Sequence, residues 1–123
     1  MAAMSDPRPC PCGSPSYAAC CGPLHSGAQL PATPEALMRS RYSAYALGDT
    51  RYVYRTWHPR TRPEDVSPDA GTVWTGLQVL DAHDDVVEFV ATYDSPAGPG
   101  RMHERSRFAR RAGRWLYLDG DVS

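Results

Sequence analysis

The chain holds four thiols, Cys10, Cys12, Cys20 and Cys21, all within the stretch CPCGSPSYAACC of a 123-residue sequence. Disulfides, thiol redox chemistry and a metal all gather cysteines in this way. A bridge between the adjacent Cys20 and Cys21 would close a strained ring, and Cys-x-Cys is not the Cys-x-x-Cys of thiol oxidoreductases. Residues 1–9 contain no apolar run of the kind that opens a signal peptide, and no window is long and apolar enough to span a bilayer. That points to the cytoplasm, where structural disulfides are rare. Four thiolates supply a closed tetrahedral Zn2+ site, and Gly13 with the neighbouring prolines permits the tight turn that aims backbone N–H groups at sulfur. His25, four residues past Cys21, is a substitute ligand. Such a site leaves no open coordination position, so the expected zinc is structural. Free surface thiols or an oxidised pair are the competing reading.

The segment that carries these thiols needs such a staple. Residues 5–34 are rich in Pro, Gly, Ser and Cys and show no hydrophobic period, so their order must come from a cross-link or a metal. Structural zinc supplies on the order of 10 kcal/mol to segments of this kind. After Pro34 the composition changes. Thr33 is a good N-cap, Pro34 suits the first helical position and Gly48 a C-terminal stop. Between them an amphipathic helix puts Met38, Tyr42 and Tyr45 on one face, with Arg39 and Ser43 off it. DTRYVYRTWHP predicts a shorter helix capped near Asp49, with Val53 and Trp57 stacked one turn apart and Pro59 ending it. A loop follows from Arg60 to Gly71. Four strand-like runs come next: TVWTGLQVLD, DVVEFVATYD, MHERSRFARR and RWLYLDG. They are separated by Asp84-Asp85, SPAGPG and Ala112-Gly113. Helices followed by an antiparallel meander describe an α+β domain, helices on one face of a curved sheet. We divide the chain into a zinc-binding segment, 1–30, and an α+β domain, 31–123.

The stretch CPCGS…Y…CC resembles the SEC-C motif, a zinc module attached to many bacterial proteins. LMRSRYSAYALGDTRYVYRTWHP and HERSRFARRAGRWLYLDGD resemble the YchJ family, in which a SEC-C module precedes a domain like nuclear transport factor 2 (NTF2). The resemblance runs from Cys10 to about Asp121. It implies a cone-shaped, half-open NTF2-like domain and a bacterial source, and it gives Cys10, Cys12, Cys20 and Cys21 as the zinc ligands. Family members usually have one residue more between the second and third cysteines than the seven found here. The shorter spacing bears on Cys20 and keeps His25 as the substitute. SEC-C modules imply a protein partner at the knuckle; the NTF2-like fold implies an interior that holds a small molecule, and often a homodimer. The resemblance fixes no activity. Our first reading is therefore a binding or adaptor module, more a binding protein than an enzyme.

A second constellation would make it an enzyme or a carrier. With Ala112-Gly113 as a two-residue turn, Arg110 pairs with Trp115, Phe108 with Tyr117 and Ser106 with Asp119. One face then carries Glu104, Ser106, Phe108, Trp115, Tyr117 and Asp119; the other carries His103, Arg105, Arg107, Leu116 and Leu118. Glu104 and Asp119, with Tyr117 and His58 near the rim, form a candidate proton-transfer site of the dehydratase or isomerase type, since paired carboxylates in a half-apolar pocket raise one pKa. The competing reading, which we favour, pairs Glu104 with Arg39 or Arg41 as a lock between helix and sheet. Trp57, Trp74 and Trp115 read as core. His83 beside Asp81, Asp84 and Asp85 reads as a solvated turn. A net charge of −1 with no Lys argues against nucleic acid as a partner.

Overall fold

Local signals set the helices. In the computed structural model, which describes residues 8–66 and 71–123, helix α1 spans Cys21–Ser26, α2 Pro34–Leu47 and α3 Thr50–Arg55. The tail 1–7 and residues 67–70 of the loop expected over 60–71 lie outside the described residues. Thr33 caps α2 by accepting the Ala36 N–H at 3.1 Å. Gly48 ends the helix in the left-handed region, φ 77°, its N–H turned back to the carbonyls of Ala44 and Tyr45. Asp49 then caps α3 through the Tyr52 N–H at 3.1 Å. The short α1 is not legible in the sequence: Cys20, at its N-cap, makes no capping hydrogen bond.

The second helix stops earlier than its pattern predicts, at Arg55, and Trp57 lies outside it. The sheet competes for the backbone of residues 56–58. The Tyr117 N–H donates to Thr56 O and the His58 N–H to Tyr117 O, both at 2.8 Å, forming a parallel bridge between Trp57 and Tyr117.

Strands β1 (Val73–His83), β2 (Val86–Ser95), β3 (Gly98–Arg111) and β4 (Arg114–Val122) form one antiparallel meander in chain order. Ala112 and Gly113 both have positive φ, 52° and 78°, which is the two-residue hairpin geometry expected there. The pairs Arg110–Trp115 and Phe108–Tyr117 form as predicted. The pair Ser106–Asp119 does not. Between Arg107 and Phe108 the register shifts, because β4 carries one extra residue, Leu118. Ser106 therefore faces Gly120, and Asp119 faces Arg107. Further irregularities in β1, between Trp74 and Gly76 and between Val79 and Asp81, add to the bending of the sheet around the helices.

The cysteine-rich segment does not fold apart from this sheet. Cys10, Cys12 and Cys21 belong to one buried cluster with Leu37, Met38, Tyr42, Val87, Phe89 and Phe108. A segment with no core of its own thus shares the core of the domain. Helix α2 lies between the two and is buried almost all round, Ser40 and Ser43 included. Leu37, fully buried in this layer, reports on both: Leu37→Ala should cost about 2–5 kcal/mol of unfolding free energy. Denaturation followed by a knuckle probe and by sheet signal should then move together; separate transitions would show two independent units.

Candidate functional site

The knuckle is built from two turns. Gly13, at φ 113°, closes the first, where the Cys10 N–H donates to Ser14 O at 2.9 Å and the Gly13 N–H to Cys10 O at 3.0 Å. In the second, the N–H groups of Cys20 and Gly22 both donate to Tyr17 O, at 3.0 and 2.9 Å. These turns bring the four Sγ atoms within 4.8 Å of one another. Cys12 Sγ lies 3.6 Å from Cys20 Sγ, and Cys20 Sγ 3.9 Å from Cys21 Sγ. A disulfide needs about 2.05 Å, and none is present. A Zn–S bond of about 2.3 Å makes the edge of a sulfur tetrahedron about 3.8 Å, so the donor set fits a closed metal site.

Electrostatics favour the same occupant. Cys12 accepts hydrogen bonds from the Cys21 thiol and, more weakly, from the Ser14 N–H, which pull its pKa down to about 4. Cys21 is pushed up by its bond to Cys12 and by burial, and Cys20 by burial. A thiol whose proton is loosened by neighbouring thiol donors is a group that a metal cation completes.

His25 has another role. Its Nε2 faces Ser40 O at 2.8 Å, and a carbonyl only accepts, so Nε2 carries the proton; Nδ1 then receives the Tyr17 hydroxyl at 2.7 Å. Both ring nitrogens are engaged and the imidazole packs on Tyr52. The expected substitute ligand is instead a bolt between α1 and α2. Arg39 helps on the same side, donating to Cys12 O at 3.2 Å and to Glu35 at 2.9 Å.

On the other side of α2 lies a cavity of about 320 Å³ inside the cone. Its polar floor is Glu104, whose Oε2 accepts from Ser106 Oγ at 2.6 Å and from the Tyr117 hydroxyl at 2.9 Å. Gly120 makes room for this carboxylate, since a Cβ there would collide with Oε2. Arg41 enters from α2 with its guanidinium over the rings of Tyr117, 4.5 Å, and Trp57, 5.1 Å. It donates Nη1 to Val53 O and Thr56 Oγ1, at 2.9 and 2.8 Å. Glu104 therefore contacts neither Arg39 nor Arg41 directly, although its charge is felt by Arg41. The expected lock between helix and sheet through Glu104 does not form; Arg41 instead ties α2 to α3, helix to helix.

The proposed proton-transfer set is broken up. Glu104 and Tyr117 meet in the cavity; Asp119 and His58 do not line it. The extra residue in β4 turns Asp119 to the outer face, where it binds Arg107 Nε at 2.6 Å, beside Asp121 at 3.1 Å. His58 sits at the helix–sheet junction, its Nδ1 accepting the Arg60 N–H at 3.0 Å. Trp57 and Trp74 are walls of the cavity rather than filling. Sequence reasoning missed Arg41 as a cavity residue; its place between Met38 and Tyr45 on the apolar face was the available signal. His83 binds Asp81 at 2.8 Å in the exposed turn region, as a solvated pair.

A curved four-stranded sheet closed by helices around a cavity, preceded by a four-cysteine knuckle, defines an NTF2-like domain with a SEC-C-type module. Comparison with known proteins narrows this. A family model described as the YchJ middle NTF2-like domain matches residues 33–120. The chain is 56% identical over 114 residues to a UPF0225 protein of Deinococcus radiodurans, covering 91% of this chain and 88% of that one. It is 50% identical over 121 residues to one of Streptomyces coelicolor, covering 92% and 94%. The solution structure of a SEC-C motif containing protein from Rhodopseudomonas palustris superimposes with a TM-score of 0.81 at 36% identity, over 93% of this chain and 98% of that one. A SEC-C motif containing protein from Psychrobacter arcticus gives 0.71 at 30% identity, over 100% and 77%. The chain belongs to the YchJ family.

Burial, with Glu104 close by, pushes the Tyr117 hydroxyl well above its ordinary value of 10.0. The folded state thus holds that proton more tightly than the unfolded chain. The resulting stability is complete below pH 10.0 and is lost as pH rises further. Tyr117→Phe should cost about 1 kcal/mol at neutral pH by removing one donor to Glu104, and should flatten the alkaline decline. Denaturation measured across the pH range checks this; an equally steep decline in the variant contradicts it.

Proposed function

We propose that the protein is a zinc-stapled binding module, with Zn2+ held by Cys10, Cys12, Cys20 and Cys21 in a purely structural role. The observation that carries this reading is the sulfur cluster: all four Sγ atoms lie within 4.8 Å of one another, and two of the separations, 3.6 and 3.9 Å, are close to the edge of a zinc–thiolate tetrahedron. Bound zinc would neutralise the buried thiolates and tie both turns of the knuckle to α2. With four protein donors it leaves no position for substrate. Four reduced cysteines also suit a cytoplasmic home; no helix among the described residues is long and apolar enough to cross a membrane. A protein partner at the knuckle would meet its outward stretch, where Leu30 is exposed, because the thiols face inward.

A second reading concerns the cone. Its cavity, with the convergent polar groups Glu104, Ser106, Tyr117 and Arg41, favours a small-molecule compartment. Binding fits better than acid–base catalysis. A single carboxylate is present, and two hydroxyls already donate to it.

Elemental analysis of protein purified without added metal should give one zinc per chain. Cys12→Ser should lower that content, whereas His25→Asn should keep it while lowering thermal stability. Chelation should perturb the near-ultraviolet signal of the cone tryptophans as well as the knuckle, since α2 serves both. Protein without stoichiometric zinc, or zinc unchanged in Cys12→Ser, would remove the reading.

A further inference from the structure

The cavity carries a polar feature that the protein leaves unanswered. Both hydrogen bonds to Glu104 go to Oε2, and none of the described residues donates to Oε1. A ligand that answers it must donate a hydrogen bond.

The charges inside the cone restrict that ligand further. Arg41 and Glu104 are both buried, 5% and 9% exposed, and they carry opposite signs. An entering anion would be drawn to Arg41 and repelled by Glu104; a cation would meet the reverse. Either ion would also lose its hydration, with only half of its surroundings in its favour. A neutral group escapes both penalties. The remaining walls, including Tyr42, Trp74, Phe89 and Met102, are flat or apolar. The volume, about 320 Å³, lies at the small end of the roughly 300–1,000 Å³ of ligand pockets.

We propose that the cone binds an uncharged aromatic compound of one or two fused rings bearing a hydrogen-bond donor such as an amide N–H. Its rings lie among the aromatic walls, Trp57 included, and its N–H meets Glu104 Oε1. This rests on the reading of the cone as a ligand compartment and specifies what that compartment takes.

Three probes of one shape test it against the full-length, zinc-loaded protein: 2-naphthamide, 2-naphthoate and 2-naphthamidinium. Calorimetry gives affinity, and the indole N–H resonances give location. The amide should bind at least about tenfold more tightly than either ion, with the Trp57 indole signal moving and that of Trp115 staying. Glu104→Gln leaves Arg41 unopposed and should strengthen naphthoate binding by about tenfold, its fold verified by zinc content and circular dichroism. Asp119→Asn, on the outer face, should change nothing. If an ion binds best, the inference on ligand class fails while the cone remains a compartment. If none of the three binds, both fail. Binding that leaves the Trp57 signal in place also overturns the inference.

Discussion

Helix α2 is the member on which everything else rests, because each of its faces is committed to a different task. Ser43 and Arg39 turn toward the knuckle, meeting Cys10 Sγ (3.4 Å from Ser43 Oγ) and Cys12 O, and the Ser40 carbonyl accepts from His25 Nε2. Met38, Arg41, Tyr42 and Tyr45 turn toward the cavity. A helix sandwiched in this way shows little amphipathic contrast, which is why serines and an arginine are buried in it. Each is admissible only because a specific partner awaits it: Ser40 the Tyr52 hydroxyl at 2.7 Å, Arg41 the end of α3.

One consequence is that knuckle and cone share one buried core. The thiols contribute buried surface to the same cluster as Phe89 and Phe108. A metal at those thiols would hold more than a small loop. It would set the position of α2 and, through it, the shape of the cavity wall. The knuckle is then better regarded as the fourth side of the cone than as an appended module.

The elements most legible in the sequence were those set by neighbours along the chain. Thr33, Pro34 and Gly48 marked α2 because caps act within one turn. Ala112-Gly113 marked the last hairpin because two consecutive positive-φ positions admit few solutions. The cysteine spacing marked the four thiols that come together, since they lie within twelve residues joined by tight turns. What remained illegible depended on contacts made far along the chain. Trp57 leaves its helix because Tyr117, sixty residues on, competes for the backbone beside it. His25 lies near the thiols in sequence, yet Ser40 and Tyr17 engage both of its nitrogens. Neither event leaves a mark in local composition.

The extra residue in β4 shows how much one position can decide. Up to Phe108–Tyr117 the hairpin keeps the pairing its turn dictates. Had that pairing continued, Asp119 would stand beside Glu104 inside the cone, and two carboxylates there would make a strong acid–base pair. Leu118 is inserted instead, its carbonyl accepting the Thr61 hydroxyl at 2.6 Å, and every later side chain of β4 changes face. Asp119 is delivered to Arg107 in solvent, and Gly120 arrives where the Glu104 carboxylate needs space. The same slip that removes a second acid from the interior leaves one carboxylate held by Ser106 and Tyr117, opposite a buried guanidinium. That arrangement is balanced in charge and set in position, which suits holding a neutral molecule better than moving a proton.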